Sequence, residues 1–314
     1  MCVKMRRRST LAKVSAFSIG CSLVLVMLTT PVVPQQQAAD PGFDTKVARP
    51  AYTKKHPKVL FDEAHNNFHT AGGRYKPFAD LITHDGYAIT PNKAKFERQT
   101  LEGYDVLVIA NALGAPVPIM AEASKPAFTD AECDAVREWV RAGGSLLLVS
   151  DHAPTGAAAR NLAERFGVDM STGVTGDAVY YDKEIDNPGW LIFTRENGLL
   201  LDHPITRGRN AQERINRIET FTGQSLKGPK GSAALLKLSD KAFDVHPPSQ
   251  DETTAAGRAQ AVAFKFGKGR VVVLGEAAML SAQVEGDVRF GMNRPGYDNR
   301  QLALNIMHWL TGLL

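Results

Sequence analysis

The sequence predicts a doubly wound α/β domain, and three observations carry that expectation. Short, continuous apolar runs at Lys58–Phe61, Asp105–Ala110 and Ser145–Val149 alternate with segments whose apolar residues recur at helical spacing. The connections between them are short, which implies parallel strands joined by right-handed crossovers. The runs DVLVIA and SLLLV show no polar alternation, the pattern of strands covered on both faces.

Each element follows from a local signal. Lys58–Phe61 reads as a first strand ending in Asp62. Between Tyr75 and His84, Phe78, Ala79, Leu81 and Ile82 fall on one helical face, and Asp85-Gly86 stops the helix. Tyr87–Thr90 is a second strand, Asn92–Leu101 a second helix broken by Gly103, and Asp105–Ala110 a third strand. Thr129 with Glu132 three residues on is a capping box, followed by the stripe Ala135, Val136, Trp139 and Val140 and ended by Gly143-Gly144. Ser145–Val149 is then strand four. From about 168 to 256 the chain turns irregular, with β-like pieces at Trp190–Thr194, Arg217–Thr222 and Ala233–Leu238 that read as an elaboration within the same domain. Gly267-Lys268-Gly269 joins Ala259–Phe266 to Arg270–Leu274 as a hairpin, and an amphipathic helix from Asp298 to Trp309 closes the domain.

The N-terminal 39 residues read as a signal peptide. Lys4, Arg6, Arg7, Arg8 and Lys13 precede an apolar run from Val14 to Leu28. Those fifteen residues fall short of the roughly 20 that span a hydrocarbon core, although an uncleaved anchor at 14–28 stays open as the alternative. The small-residue exit is Ala38-Ala39. Arg7-Arg8 only loosely matches a twin-arginine signal, and Cys21 has most of the apolar run after it, unlike a lipidated cysteine. Residues 40–57, punctuated by prolines, read as a linker, and 58–314 as one domain. The expected location is periplasmic or secreted, with membrane contact only through the N-terminal segment. Removing the leader takes away five basic and no acidic residues, so a net charge of +4 becomes −1. The basic character therefore belongs to the leader, no basic patch interleaved with aromatics remains, and nucleic acid is not an expected partner. Of the three cysteines only Cys133 stays, which excludes an intramolecular disulfide in the mature form.

The ordered motifs FDEAH, YDVLVIANAL, FTDAECDAVREWVRAGGSLLLVSDHAP, LDHPIT, GRVVVLGEAAML and DNRQLALNIMHWL resemble the class I glutamine amidotransferase-like superfamily. Within it, they are most similar to the uncharacterised bacterial branch related to DUF4350 and intraflagellar-transport-52-like domains. The resemblance spans nearly all of residues 58–314 and implies a flavodoxin-like, mostly parallel sheet with an irregular β-rich elaboration. It also implies a test of activity. Amidotransferases of this superfamily place a cysteine nucleophile on a sharp strand-to-helix turn, whereas Cys133 falls inside the helix before strand four. Glutamine hydrolysis by that route is excluded, and the fold supplies no other activity.

In an open α/β sheet the ligand crevice lies beyond the carboxyl ends of the strands. Strand one there releases Asp62, Glu63, His65, Asn66, Asn67 and His69; strand three releases Asn111; strand four releases Ser150, Asp151 and His152; the last strand releases Glu276. Imidazole with carboxylate suits a divalent metal as cofactor, with Asp62, His65, Asp151 and His152 as ligands and Glu63 or Glu276 as general base on a metal-bound water. Asn67, His69, Asn111 and, from the last helix, Asn299 are the candidates for substrate contact. The competing reading, which base rates favour over metal, has Asp62 and Asp151 capping loops and the histidines donating to backbone carbonyls. Ser150 lacks a GxSxG elbow, and its neighbours Asp151 and His152 point in alternate directions, so a serine triad is not expected. Thr155-Gly156 opens a helix that could hold an anion, or simply caps it. The glycines of FGKGRVVV lack the phosphate-loop spacing, His203 reads as a turn residue and His246 as exposed loop. Tyr180, Tyr181 and Trp190 are either a sugar-stacking wall or core. The function these residues predict is binding of a small molecule or glycan, with metal-assisted hydrolysis as the catalytic form. The alternative is a non-catalytic binding or scaffolding domain of the cell envelope.

Overall fold

The computed structural model describes residues 37–117 and 120–314; the expected leader up to residue 36 lies outside them. Six strands form the centre: β1 (Lys58–Asp62), β2 (Ala88–Asn92), β3 (Val106–Ala110), β4 (Ser145–Val149), β5 (Ala259–Phe266) and β6 (Gly269–Leu274). Their spatial order is β2-β1-β3-β4-β6-β5, with Leu226–Lys227 and Asp169–Met170 continuing beyond β5. The first five of that series run parallel, and β5 is antiparallel to β6. The sheet is thus mixed and not uniformly parallel. The reversal occurs where Gly267, at φ +60°, lets the chain fold back as a tight hairpin, and the outer strands then pair antiparallel with β5.

Helices cover both faces: α1 (Lys76–His84) and α4 (Asn299–Leu310) on one, α2 (Asp130–Ala142) and α3 (Thr155–Arg165) on the other. The partition follows the two-residue period of a strand. Val106, Val108 and Ala110 of β3 join Phe78, Leu81 and Ile306, while Leu107 and Ile109 join Val136, Val140 and Leu162. Both sets are fully buried, so each aliphatic side chain contributes about 1.5–3 kcal/mol, and no face could accept a charge. At the start of α2, Thr129 Oγ1 accepts from Glu132 N while a Glu132 carboxylate oxygen accepts from Thr129 N at 3.0 Å, the expected reciprocal cap. After α2, Gly144 lies so close to Trp139 that a Cβ would stand 2.3 Å from the indole, which fixes glycine there.

Two expectations are corrected. The helix expected over Asn92–Leu101 is a single turn, Arg98–Leu101. Asn92 instead binds Ala94 through both ends of its amide, and Phe96 turns inward to stack on Phe128, so local hydrogen bonding and burial together override the helical pattern. Residues 40–57 are not a free linker but a strap along the domain. Tyr52 packs edge-on against Tyr87 and hydrogen-bonds Thr311 at 2.6 Å, and Ala51 N donates to Asp85. Ala38–Ala39, the expected leader exit, pairs with Ala282–Glu285 in a small sheet completed by Val288–Gly291.

The elaboration has the expected pieces, Trp190–Thr194 against Arg217–Phe221, and Ala233–Lys237 against β5, plus a small sheet of Val174–Asp177, Ala242–His246 and Asp251–Thr254. Among the described residues no helix is long and apolar enough to cross a membrane.

Candidate functional site

The strand-end residues gather as expected at the carboxyl edge of β1, β3, β4 and β6, but they divide into two groups. The first is closed. Asp62, fully buried, receives His65 Nδ1 at 2.9 Å and Asn67 Nδ2 at 2.9 Å, and Glu132 of α2 receives His65 Nε2 at 2.9 Å. With a carboxylate on each nitrogen the ring is an imidazolium donating twice. Burial by itself lowers the His65 pKa, but the hydrogen bonds and charges of Asp62 and Glu132 leave it raised. Glu132 is correspondingly held down to about 2: burial works against this, and the Thr129 N–H, His65 and the Thr129 hydroxyl outweigh it. Phe96 and Phe128 flank the imidazole at centroid distances of 4.7 and 4.6 Å. No lone pair of His65 is left for a metal or a substrate.

The second group is open. A cleft of about 240 Å³ is lined by His69, Arg74, Asp151, His152 and Glu276 together with Trp190, Phe221, Thr222, Gln283 and Phe290. Asp151 follows β4 and is aimed by Asn111, whose Nδ2 donates to Asp151 Oδ2 at 2.8 Å while its Oδ1 accepts from Asp151 N at 3.0 Å. To make both bonds Asn111 sits at φ +49°, a conformation asparagine tolerates better than most residues. Glu276 follows β6 and caps the next turn, accepting from Ala278 N at 2.5 Å and Met279 N at 2.7 Å; Ala277 N goes to Asp151 Oδ1 at 2.8 Å. Two carboxyls thus share three successive amides. Burial first, and then the charge of Asp151, push the Glu276 carboxyl well above its usual range, and burial raises Asp151 as well. The pair consequently retains a proton where isolated carboxylates would not.

The imidazoles of the cleft differ from His65. His152 Nδ1 donates to Ala153 O at 2.8 Å, which leaves Nε2 as the lone-pair nitrogen. His69 lies between Phe68 and Tyr75, its Nδ1 has no partner, and burial lowers its pKa to about 4. The aromatic lining comes from the elaboration and, through Phe290, from the strand Val288–Gly291. Trp190, Phe221 and Phe290 pack edge to face at 4.8–5.7 Å, separate from the main core, and Thr222 holds φ +63°. A β-branched residue in that region stores strain, of order 1–3 kcal/mol.

The expected metal quartet does not assemble. Asp62 and His65 belong to the closed group, Asp151 and His152 to the cleft, and among the described residues no three His, Cys, Asp or Glu side chains meet as metal ligands. Glu63 is not a base in the cleft: its carboxylate accepts from Ala71 N at 3.1 Å and serves its own loop. Asn67 orients Asp62 and accepts from His65 N, so it belongs to the closed group. Asn299, expected to touch substrate, is fully buried and ties Glu219 N, Glu219 O and Met279 O together. Thr155 does not cap α3 as an acceptor; its hydroxyl donates to Asp151 O and His152 O. Ser150 Oγ is buried without a partner, and His203 Nδ1 caps the turn Pro204–Arg207 by accepting from Ile205 N. Cys133 lies inside α2, where burial pushes its thiol to about 12, the opposite of an activated nucleophile. Arg74, Phe221, Thr222, Gln283 and Phe290 carry no motif that would have named them; only folding brings them to the cleft.

No family model matches the chain, and no curated protein does. Solved structures do. The mmIFT52 N-terminal domain is 17% identical over 81% of this chain and 97% of its own, with a TM-score of 0.57, which shows a shared fold. A ThuA-like protein from Bacteroides uniformis is 17% identical over 83% of this chain and 94% of its own at a TM-score of 0.40, and a GMP synthase-type protein from Thermoplasma acidophilum is 11% identical over 82% and 97% at 0.42.

Proposed function

We propose that this chain is an exported, flavodoxin-like domain of the class I glutamine amidotransferase-like superfamily that binds a sugar or short glycan in the strand-end cleft. The observation that carries the reading is the composition of that cleft: the aromatic residues Trp190, Phe221 and Phe290 line it together with ionisable side chains at His69, Asp151, His152 and Glu276. A pyranose presents C–H groups on one face and hydroxyls around its rim, so it matches aromatic rings combined with carboxylates and imidazoles. The parallel order β2-β1-β3-β4-β6 supports the flavodoxin-like assignment, since a ligand is expected at the carboxyl edge of such a sheet. Export is read from the basic and apolar leader, and a site in the periplasm or outside the cell is its consequence.

One observation favours hydrolysis in the same cleft. Glu276 holds a proton that neighbouring Asp151 disfavours losing, and His152 Nε2 is free to accept one, so an acid and a base line one cavity without need of a metal. The non-catalytic alternative uses the same residues for recognition alone. The test is tryptophan fluorescence with a panel of mono- and disaccharides, using Trp139→Phe/Trp309→Phe to leave Trp190 as the reporter, and product analysis after long incubation. Saturable quenching that disappears in Asp151→Asn supports the site; no response to any saccharide sinks it. Released monosaccharide that is absent in Glu276→Gln decides for hydrolysis.

A further inference from the structure

A second cleft, of about 310 Å³, shares no residue with the first. It lies between the strap at Val47–Arg49, the turn Arg209–Glu213 and one face of α4 that carries Arg300, Leu304 and His308. Three guanidiniums line it, and their partners differ. Arg209 is neutralised by Glu213, which it meets through Nε and a terminal nitrogen at 2.6–3.0 Å. Arg300 donates to the carbonyl oxygens of Lys46 at 2.6 Å and Asp44 at 3.4 Å, which fix its plane without cancelling its charge. Arg49 is exposed, and among the described residues neither it nor Arg300 has a carboxylate within ion-pair distance.

The floor of this cleft is polar and incompletely satisfied. Asp85 and His308, each 1% exposed, meet at 2.7 Å through Oδ2 and Nε2, and Ala51 N donates to the other Asp85 oxygen at 2.8 Å. His308 Nδ1 has no hydrogen-bond partner. Burial pulls the Arg300 guanidinium below its ordinary value, and the charges of Asp44 and Asp85, both beyond ion-pair distance, offset this only in part. Two guanidiniums without a carboxylate at ion-pair distance are the donors that a planar or tetrahedral oxyanion satisfies, because each guanidinium offers parallel N–H groups; the free Nδ1 of His308, whose Nε2 donates to Asp85, is an acceptor and takes no part in holding an anion. Asn210, Gln212 and Gln301 add amides for the remainder of such a ligand, and Leu304 an apolar wall.

We infer that this cleft binds the phosphate or carboxylate group of a small metabolite between Arg49 and Arg300. The site is independent of the glycan reading, since it uses none of the same side chains. Isothermal titration of the full chain at low salt with inorganic phosphate, and separately with succinate, tests it. One-site saturable binding is expected for at least one probe, and which of the two binds assigns the ligand to phosphate esters or to carboxylates. Arg49→Gln, at an exposed position, and Arg300→Lys, which keeps the charge and loses the fork, are each expected to weaken binding about tenfold. Lys230→Gln, an exposed cation elsewhere, is expected to bind as the parent does. No saturable heat with either probe, or equal affinity in Arg49→Gln and Arg300→Lys, overturns the inference. Thermal melting of each variant alongside the parent separates loss of the site from loss of the fold.

Discussion

His65 and His69 sit four residues apart in one loop and have opposite fates. His65 is enclosed by two carboxylates and two aromatic rings, with every polar atom partnered. His69 is equally buried but keeps an unpartnered nitrogen, and its cluster faces a cavity. The difference teaches that a concentration of ligand-type side chains says little until their hydrogen bonds are accounted for. The saturated group fastens α2 to the loop after β1, and the unsaturated one has capacity left for a ligand.

Breaking the closed group gives the largest expected effect. His65→Ala leaves Asp62 and Glu132 buried without the cation between them, at a cost of about 3–5 kcal/mol in denaturant unfolding. A loss below about 1 kcal/mol would mean that the carboxylates find solvent and that the cluster is less closed than its geometry. Next is acid stability. His69 is neutral in the folded protein down to about pH 4 against 6.5 unfolded, so the unfolded chain binds the proton more readily between those values. Stability attributable to His69 is therefore complete above about pH 6.5 and declines by about 3 kcal/mol as the pH falls to 4. Urea unfolding of His69→Phe across that window is expected to show a shallower decline than the parent, and parallel curves would contradict it.

The distinction between the groups is visible in the sequence only in part. Strands such as VLVIA and SLLLV, the Thr129–Glu132 cap and the Gly267-Lys268-Gly269 hairpin are written in local composition, because burial on both faces, a side-chain cap and a tight turn each need particular residue types at fixed spacing. The set of strand-end loops is legible for the same reason. Which loop residues serve the fold is not, since the decisive partner of His65 comes from a helix 67 positions away. The aromatic cluster is legible only at Trp190: its companions are Phe221, met across an antiparallel pair, and Phe290 from a third strand, while Tyr180 and Tyr181 are not among the residues lining the cleft. Asn299 looked like a ligand contact only because its position near the sheet edge is readable and its three backbone partners are not.

Smaller effects sharpen the comparison. Asp151→Asn keeps one of the two accepted contacts, sets its NH2 against the other donor and removes a charge beside Glu276; relief of that repulsion offsets the lost contact, so unfolding stability is expected to stay within about 1 kcal/mol while saccharide affinity falls about tenfold, or about 1.4 kcal/mol. Coincident losses of stability and affinity would place Asp151 with the closed group. Smallest is Thr129→Ala, which removes the helix cap and one donor to Glu132 for about 1 kcal/mol, measured by thermal unfolding, with no change in the cleft.

The ends of the central sheet bear on how the protein meets its neighbours. At one edge β2 carries Pro91, which has no N–H to offer a further strand, and at the other the last member is the two-residue strand Asp169–Met170. Neither edge provides a long row of free backbone groups, so joining a second chain by sheet extension is disfavoured at both. Copies of this domain are consequently disfavoured from joining edge to edge through the central sheet.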